Sequence, residues 1–227
     1  MYNVCFIPAR NSSMRLKNKN ISKFGNGTLI TNTIKQAIES EVFDEIILSS
    51  NDESILEMGE KYPVELHIRT DKHDKLIDVI RESDYGSHLM FEDTLCLLLV
   101  TCPLRQVSDI RFAYDLFMKE GRKNTVVSVK VNENPIQMSF KMDENELLKP
   151  VFPDEFKRST RKQDHYKTYF YNDAVIFDTV ERWMDPERTL YGDNPIPYVM
   201  PWERSITIDY DFQLKLARCL GEGNVEI

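Results

Sequence analysis

The chain lacks several features that would assign it quickly to a common class of protein. No apolar run among its 227 residues approaches the roughly 18 residues needed to span a bilayer, and the longest candidate covers only residues 95–100. The four cysteines have no C-x-x-C spacing, so we expect reduced thiols in a core rather than a zinc site or a disulfide framework. No basic stretch precedes the first apolar run. These absences predict a cytoplasmic protein with no membrane partner.

Positive net charge is missing as well. The sequence has 29 Lys+Arg against 37 Asp+Glu, which gives a formal charge of -8. Because coating nucleic acid requires net or clustered positive charge, we expect no nucleic-acid partner. Two glycine-rich phosphate motifs, G-x-G-x-x-G and G-x-x-x-x-G-K-[ST], are absent, and Gly25 and Gly27 come too late to serve in either. Their absence disfavours a nicotinamide dehydrogenase and a P-loop kinase.

What the sequence contains is an alternation of short apolar runs with helical stripes, which is typical of βαβ units around a parallel sheet. The apolar runs predict strands at residues 2–8, 45–50, 64–68, 95–100, 125–131, 168–177 and 195–200. Apolar stripes at helical spacing predict helices around residues 30–38, 55–58, 110–117, 180–183 and 212–220. We therefore expect one α/β domain over residues 1–227, three-layered with a mainly parallel sheet. A proline-punctuated, charged and aromatic segment at about residues 135–167 is expected to leave it as an inserted arm.

The segment that follows the first predicted strand concentrates polar donors. Residues 9–20, called the polar loop below, contain two arginines, two lysines, two serines and three asparagines, and no acid. In an open parallel sheet, ligands bind beyond the carboxyl ends of the strands. Backbone N–H groups and the ends of Arg and Lys side chains can surround the oxygens of a polyphosphate there. A solvated basic turn is the alternative interpretation of the same composition.

The run IPARNSSMRLKNKNI at residues 7–21 resembles the signature loop of the acylneuraminate cytidylyltransferase family. That family activates sialic, pseudaminic, legionaminic and related ulosonic acids as CMP-sugars. Further segments resemble family motifs in the same order along nearly the whole chain: LSSND at 48–52, TCPLR at 101–105, RKQD at 161–164, NDA at 172–174 and SITID at 205–209. The chain departs from the family pattern at Met14, Leu99 and Thr207, where lysine, glutamine and aspartate are usual.

The resemblance implies attack by the anomeric hydroxyl of an ulosonic acid on the α-phosphorus of CTP, with pyrophosphate leaving. Charge accumulates on the leaving phosphates, so the site needs cations there more than an acid or a base. The implied catalytic residues are Arg10, Arg15 and Lys19, with Lys17 as a substitute for the lysine missing at position 14. The implied nucleotide-binding residues are Ala9, Arg10, Ser13, Arg15, Lys19, Asn20 and Arg69, the last of which stands where the family arginine contacts cytosine.

The resemblance also implies a sugar site and a second copy of the chain. Binding of the sugar carboxylate calls for a cation or an amide, and the family layout implies Arg105, Arg161, Gln163 and Asn172. The arm is implied to make a homodimer and to reach the site of the neighbour. The aromatic stripe Tyr166, Tyr169, Phe170 and Tyr171 is interpreted as core or dimer contact rather than as a base-stacking platform.

Magnesium is the implied cofactor, because this cation prefers a few carboxylates together with phosphate oxygens. Asp209 is the first candidate ligand, and its partner depends on the register. In the family register Thr207 replaces the other aspartate, whereas a two-residue shift pairs Asp209 with Asp211. The alternative is that one of these aspartates only caps the C-terminal helix.

Three functions remain open at this point. The leading one is a CMP-ulosonate synthetase, and the identity of the acid stays undetermined. The replacements at Met14, Leu99 and Thr207 also suit a catalytically silent relative that binds a nucleotide or a sugar. The third is a cytidylyltransferase that uses another sugar, such as a 3-deoxy-octulosonate.

Overall fold

The structure is a computed structural model, and it describes residues 1–10, 16–69, 75–82 and 89–221. Its strands are β1 (Asn3–Pro8), β2 (Lys23–Phe24), β3 (Gly27–Thr28), β4 (Glu45–Ser50), β5 (Glu65–Ile68), β6 (Thr94–Leu97), β7 (Val126–Val131), β8 (Phe140–Met142), β9 (Leu148–Pro150), β10 (Tyr169–Thr179) and β11 (Ile196–Val199). Its α-helices are α1 (Leu29–Ser40), α2 (Glu53–Gly59), α3 (Leu76–Glu82), α4 (Val107–Lys119), α5 (Pro153–Arg158), α6 (Val180–Met184) and α7 (Asp211–Gly221).

Seven strands form one sheet in the order β11-β7-β10-β6-β1-β4-β5. β1 runs parallel to β4 and β6, β4 runs parallel to β5, and β7 runs parallel to β11. β10 is the exception, since it runs antiparallel to both β6 and β7. β1 lies between β4 and β6. Strands that follow β1 in the chain are therefore added on both of its sides, with β4 and β5 on one side and β6 on the other. The polar loop after β1 therefore follows the switch point where ligands bind in such sheets.

Helices cover both faces of the sheet, which confirms the predicted three-layer α/β fold. Successive residues of a strand point to opposite faces, and β1 shows this alternation clearly. Cys5 and Ile7 belong to a core cluster with apolar side chains of α1, α2, α4 and α7. Val4 and Phe6 belong to a second cluster with apolar side chains of α3 and α6. Each face of the central strands is thus buried under its own helical layer.

The predicted elements differ from the observed ones mainly at their ends and in two places. β4 has the predicted bounds, and the other predicted strands shift at an end by one to three residues. The helices α3 and α5, of seven and six residues, were not predicted, although Leu76, Val79 and Ile80 of α3 have helical spacing. Within the described part of the chain, no helix is long and apolar enough to cross a membrane.

The segment of about residues 135–167 contributes nothing to the seven-stranded sheet. It begins with a 3₁₀ helix at Ile136–Met138, continues with the antiparallel hairpin of β8 and β9, and ends with α5 and a second 3₁₀ helix at Lys162–Asp164. Gln137 is its one buried residue. Apolar side chains on the hairpin are exposed instead, among them Phe140, Met142, Leu147 and Leu148. This arm therefore has no core of its own.

Candidate active site

The carboxyl ends of β1, β4 and β5 lie side by side. The backbone N–H of Ala9 donates to the carbonyl of Ser49 at 2.8 Å, and the N–H of Arg69 donates to the carbonyl of Ser50 at 3.0 Å. Ala9 is buried, Arg10 is exposed and Arg69 is partly buried. The polar loop and Arg69 therefore extend from the same edge of the sheet.

The two described ends of the polar loop are joined by Asn20. Its side-chain amide is largely buried and donates to the carbonyl oxygen of Arg10 at 2.8 Å. The predicted residues Ser13 and Arg15, together with Met14, lie outside the described residues. Asn20 therefore stabilises the backbone of the loop. The side chain of Arg10 is exposed to solvent.

Lys19 connects the polar loop to the segment before the C-terminal helix. Its ammonium group donates to the carbonyl of Ile208 at 2.8 Å and lies 3.3 Å from a carboxylate oxygen of Asp209. The Lys19 side chain is only 12% exposed, so this ion pair is weakly screened by water. The structure thus brings a predicted phosphate cation and the predicted metal ligand together across 190 positions of sequence.

The side chain of Gln213 holds the backbone at Asp209. The carboxamide oxygen of Gln213 accepts hydrogen bonds from the backbone N–H groups of Asp209 at 2.7 Å and Tyr210 at 2.9 Å. The helix begins at Asp211, which ends the extended alternation that would have placed residue 211 beside residues 207 and 209. Asp211 is exposed and pairs with Lys215 at 2.7 Å. Asp211 is therefore the first residue of α7 and pairs with a lysine of that helix, and the choice between the two metal registers stays a prediction.

A cavity of about 420 Å³ opens beside Asp209, where β7 ends and β10 begins. Its polar lining includes Lys130, Asp173, Thr207 and Asp209, and aromatic side chains of Phe170, Tyr171, Trp202 and Phe212 complete it. A cavity of this size with few polar groups on an apolar wall is typical of a small-molecule site. Phe170 and Tyr171 are exposed in this chain and line the cavity, so they are not core residues, and a dimer contact stays a prediction.

Asp173 reaches the cavity through a bulge in β10. The register of β10 against β7 shifts between Tyr171 and Ile176, and Asp173 adopts a left-handed backbone with φ of 55°. The hydroxyl of Tyr191 donates to Oδ1 of Asp173 at 2.8 Å, while the Tyr191 ring stacks on Tyr171 with centroids 3.8 Å apart. Burial raises the pKa of the Asp173 carboxyl, the Tyr191 hydrogen bond lowers it, and the charge of Asp209 raises it further.

Two residues predicted to bind the sugar hold this bulge from the interior. Asn172 is fully buried, and its amide donates to the hydroxyl of Ser205 at 3.0 Å. Arg105 is 1% exposed, and its guanidinium donates to the carbonyls of Ala174 and Leu99 and to the side chain of Gln36. Burial lowers the pKa of Arg105. This corrects the predicted placement of both residues, because their side chains are buried inside the protein.

The remaining predicted sugar ligands lie on the arm. Arg161 is exposed and forms an ion pair with Asp164 at 3.1 Å, and Gln163 is exposed on the same turn. Neither residue lines the cavity beside Asp209. The structure of one chain therefore does not bring these two residues together with the polar loop.

Asp173 and Lys130 are lining residues that the sequence analysis did not assign. Asp173 lies in the NDA segment at residues 172–174, which resembles a family motif. Aspartate is also one of the few residues that tolerate a left-handed backbone. Lys130 lies near the end of a predicted strand, and a lysine at such a position does not by itself indicate a binding site. Its position at the carboxyl end of β7 was the one available clue.

The carboxylates that line the cavity are suitable for magnesium. Asp173 and Asp209 offer the hard oxygen donors that this cation prefers, and the charge of Asp209 raises the pKa of Asp173. Among the described residues there is no group of three or more His, Cys, Asp or Glu side chains able to hold a metal ion. Two carboxylates with substrate phosphates are the arrangement that magnesium commonly uses, so the donor set fits.

Comparisons with known proteins show which proteins this chain resembles. Residues 4–84 match the family described as cytidylyltransferase. A pseudaminic acid cytidylyltransferase of Campylobacter jejuni is 32% identical, and the match covers 100% of this chain and 99% of that protein. An N-acylneuraminate cytidylyltransferase of Streptococcus agalactiae is 29% identical over 91% of this chain and 50% of its own length.

A solved structure of a CMP:2-keto-3-deoxy-manno-octonic acid synthetase complexed with CTP has the same fold. Its TM-score is 0.69 at 11% identity, and the match covers 99% of this chain and 100% of the other. At 11% identity this likeness shows only a shared fold. The pseudaminic acid cytidylyltransferase, at 32% identity over the full chain, also shows a shared family. The identity of 32% to the Campylobacter enzyme over the full chain, together with the order of the matched motifs, shows the family of this chain. It belongs to the acylneuraminate cytidylyltransferase family, whose enzymes activate ulosonic acids with CTP.

Proposed function

We propose that this chain transfers the cytidylyl group of CTP to pseudaminic acid or a close nine-carbon relative, releasing pyrophosphate. The observation that carries the proposal is the ion pair of Lys19 with Asp209 beside a cavity of about 420 Å³. It joins a cation of the polar loop to the acid expected to hold magnesium. Pseudaminic acid is the first choice, because the name of the Campylobacter relative specifies it.

In the proposed reaction, the anomeric oxygen forms a bond to the α-phosphorus while the bond to the leaving pyrophosphate breaks. Arg10, Arg15 and Lys19 supply positive charge to the leaving phosphates, which lowers the free energy of the transition state. Arg69 binds the cytosine from the neighbouring strand end. Lys130 takes the part first expected of Arg105, because it offers a cation for the sugar carboxylate from within the cavity.

Asp209 is proposed to hold magnesium together with the phosphates of CTP. The cation supplies charge that neutralises the phosphate oxygens. Lys19 keeps the Asp209 carboxylate in place before the nucleotide enters, and Gln213 fixes the backbone on which Asp209 sits. Water is the expected source of the remaining ligands.

A homodimer is the proposed assembly. The arm buries little of itself, and the side chains of Phe140, Met142, Leu147 and Leu148 expose apolar surface on one hairpin. A contiguous apolar surface of this kind is typical of an interface. Arg161 and Gln163, which lie on the arm, would then be offered to the site of the partner chain.

The proposal is tested by measuring pyrophosphate release from each of the four nucleoside triphosphates with magnesium. The second substrate is drawn from pseudaminic, legionaminic, sialic and 3-deoxy-octulosonic acids. We expect release with CTP alone among the nucleotides, and fastest release with pseudaminic acid. Fastest release with the eight-carbon acid would make the chain an octulosonate cytidylyltransferase, and CTP-dependent thermal stabilisation without release would make it a silent relative.

A further inference from the structure

Asp173 occupies a position that the fold maintains with several interactions. Its left-handed backbone lies in the β10 bulge, flanked by the fully buried Asn172 and by Ala174, whose carbonyl accepts a hydrogen bond from the buried guanidinium of Arg105. Left-handed backbone costs free energy in a residue other than glycine, and such strain is concentrated at functional sites. The left-handed backbone of the bulge therefore indicates a functional role for the Asp173 side chain in the cavity.

Thr207 stands where the family usually has an aspartate, and its hydroxyl is already engaged. The hydroxyl donates to the carbonyl oxygen of Asn172 at 3.1 Å, and the same carbonyl accepts from the thiol of Cys102 at 2.7 Å. Residue 207 thus holds the backbone next to Asp173. The carboxylate that position 207 does not provide is offered to the same cavity by Asp173.

The carboxylates of Asp173 and Asp209 open into the same cavity. The hydrogen bond from Tyr191 to Oδ1 sets the orientation of the Asp173 carboxylate. Ligating carboxylates are commonly held by such a hydrogen bond from a neighbouring side chain. Lys19 balances part of the Asp209 charge, and the Asp173 carboxylate adds a second negative charge to the cavity.

We propose that Asp173 is the second carboxylate of the metal site, holding with Asp209 the divalent cation that accompanies CTP. The inference rests on the proposed function, since the cation arrives with the nucleotide. Position 173 has thereby replaced position 207 as the source of a ligand in this chain. Thr207 and Tyr191 act as positioning residues, because each holds Asp173 or the backbone next to it.

The test is a titration of the full chain with Mn²⁺ in the presence of CTP and without a sugar acid, followed by electron paramagnetic resonance. Asp173→Asn keeps an oxygen for the Tyr191 hydroxyl and tolerates the left-handed backbone. Asp173→Gly removes the side chain and suits the same backbone without strain. Glu203→Gln is the matched control, because it removes one exposed carboxylate close to the cavity residue Trp202.

We expect both Asp173 variants to weaken Mn²⁺ binding by at least about tenfold, the scale of losing a group in or next to a metal site. Glu203→Gln should bind Mn²⁺ as the parent does. A loss smaller than tenfold in both Asp173 variants would overturn the proposal. If the parent chain releases pyrophosphate while the Asp173 variants bind Mn²⁺ normally, the proposal fails and the proposed function stands. If the parent chain releases none, the proposed function fails separately.

Discussion

Lys19 illustrates how a single residue can belong to two parts of the site. Its ammonium group contacts the main chain at Ile208 and the carboxylate of Asp209, and its side chain is mostly buried. A cation held in this way needs little rearrangement when phosphates arrive. Preorganisation of that kind is what makes a charge effective in stabilising a transition state.

Replacement of the polar-loop cations should therefore affect the chemical step. We expect Lys19→Ala and Arg15→Ala each to lower turnover by about 10²-fold or more, the scale of one preorganised charge contact. Lys23→Ala, at an exposed lysine on β2, is the control and should leave turnover unchanged. Steady-state pyrophosphate release measures all three. Unchanged turnover in both loop variants would contradict the role given to these cations.

The metal ligand gives a second prediction at this scale. Asp209→Asn should abolish magnesium-dependent turnover without loss of the fold, because Gln213 binds the backbone at this position rather than the carboxylate. Turnover is measured against magnesium concentration, with circular dichroism to check folding. Full activity of Asp209→Asn at limiting magnesium would refute its assignment.

At the scale of elements, an ion pair ties α4 to the segment that leads into the site. The fully buried carboxylate of Asp109 accepts from the guanidinium of Arg204 at 2.8 Å and from the hydroxyl of Tyr198 at 2.8 Å. Asp109 also accepts from the backbone N–H of Gln106 at the start of α4. The strand β11, the helix α4 and the segment before Ser205 thus meet at one carboxylate.

Removal of this carboxylate should weaken the fold more than the chemistry. We expect Asp109→Ala to lower the free energy of unfolding by about 3 kcal/mol, because it leaves Arg204 and Tyr198 without their buried acceptor. Tyr198→Phe removes one hydrogen bond and should cost about 1 kcal/mol. Urea denaturation gives both values. A loss below about 1 kcal/mol for Asp109→Ala would show that the three elements are held together by other contacts.

Over the whole molecule, the arm predicts association. Its exposed hairpin side chains need a partner surface, so the chain should sediment as a dimer at the concentrations used for activity. Phe140→Asp should shift the equilibrium toward monomer, because it places a charge among those apolar side chains. A monomer in the parent chain would contradict the dimer. Equal dimer content in Phe140→Asp would remove Phe140 from the interface.

The thiols provide a further test of the whole fold. All four cysteines are free, with Cys5, Cys96 and Cys102 buried and Cys219 exposed. Burial raises the pKa of the Cys102 thiol to about 11, so little thiolate exists near neutral pH. We expect an aromatic disulfide reagent to modify one thiol rapidly in the native protein and all four in denaturant. Rapid modification of a second native thiol would show that the core opens more easily than its packing indicates.

Local pattern in the sequence was sufficient for most of the architecture. Residues 45–50 were predicted as a strand with the observed bounds, and the stripe of Ile30 and Ile34 was predicted as a helix. These features depend on the period of apolar residues, which a single sequence displays directly. The antiparallel direction of β10 was not predictable in this way. Apolar alternation is the same in either direction of a strand.

Neighbouring residues were enough to predict the strands and the concentration of donors after β1, and the resemblance of residues 205–209 to a family motif made Asp209 a candidate ligand. The packing of distant segments was needed to show that Arg105 is a buried support, that Asp211 begins α7 and pairs with Lys215, and that Asp173 shares a cavity with Asp209. Desolvation and contacts between distant segments depend on how the elements pack. The sequence alone therefore does not distinguish an arginine that supports a bulge from one that binds a substrate.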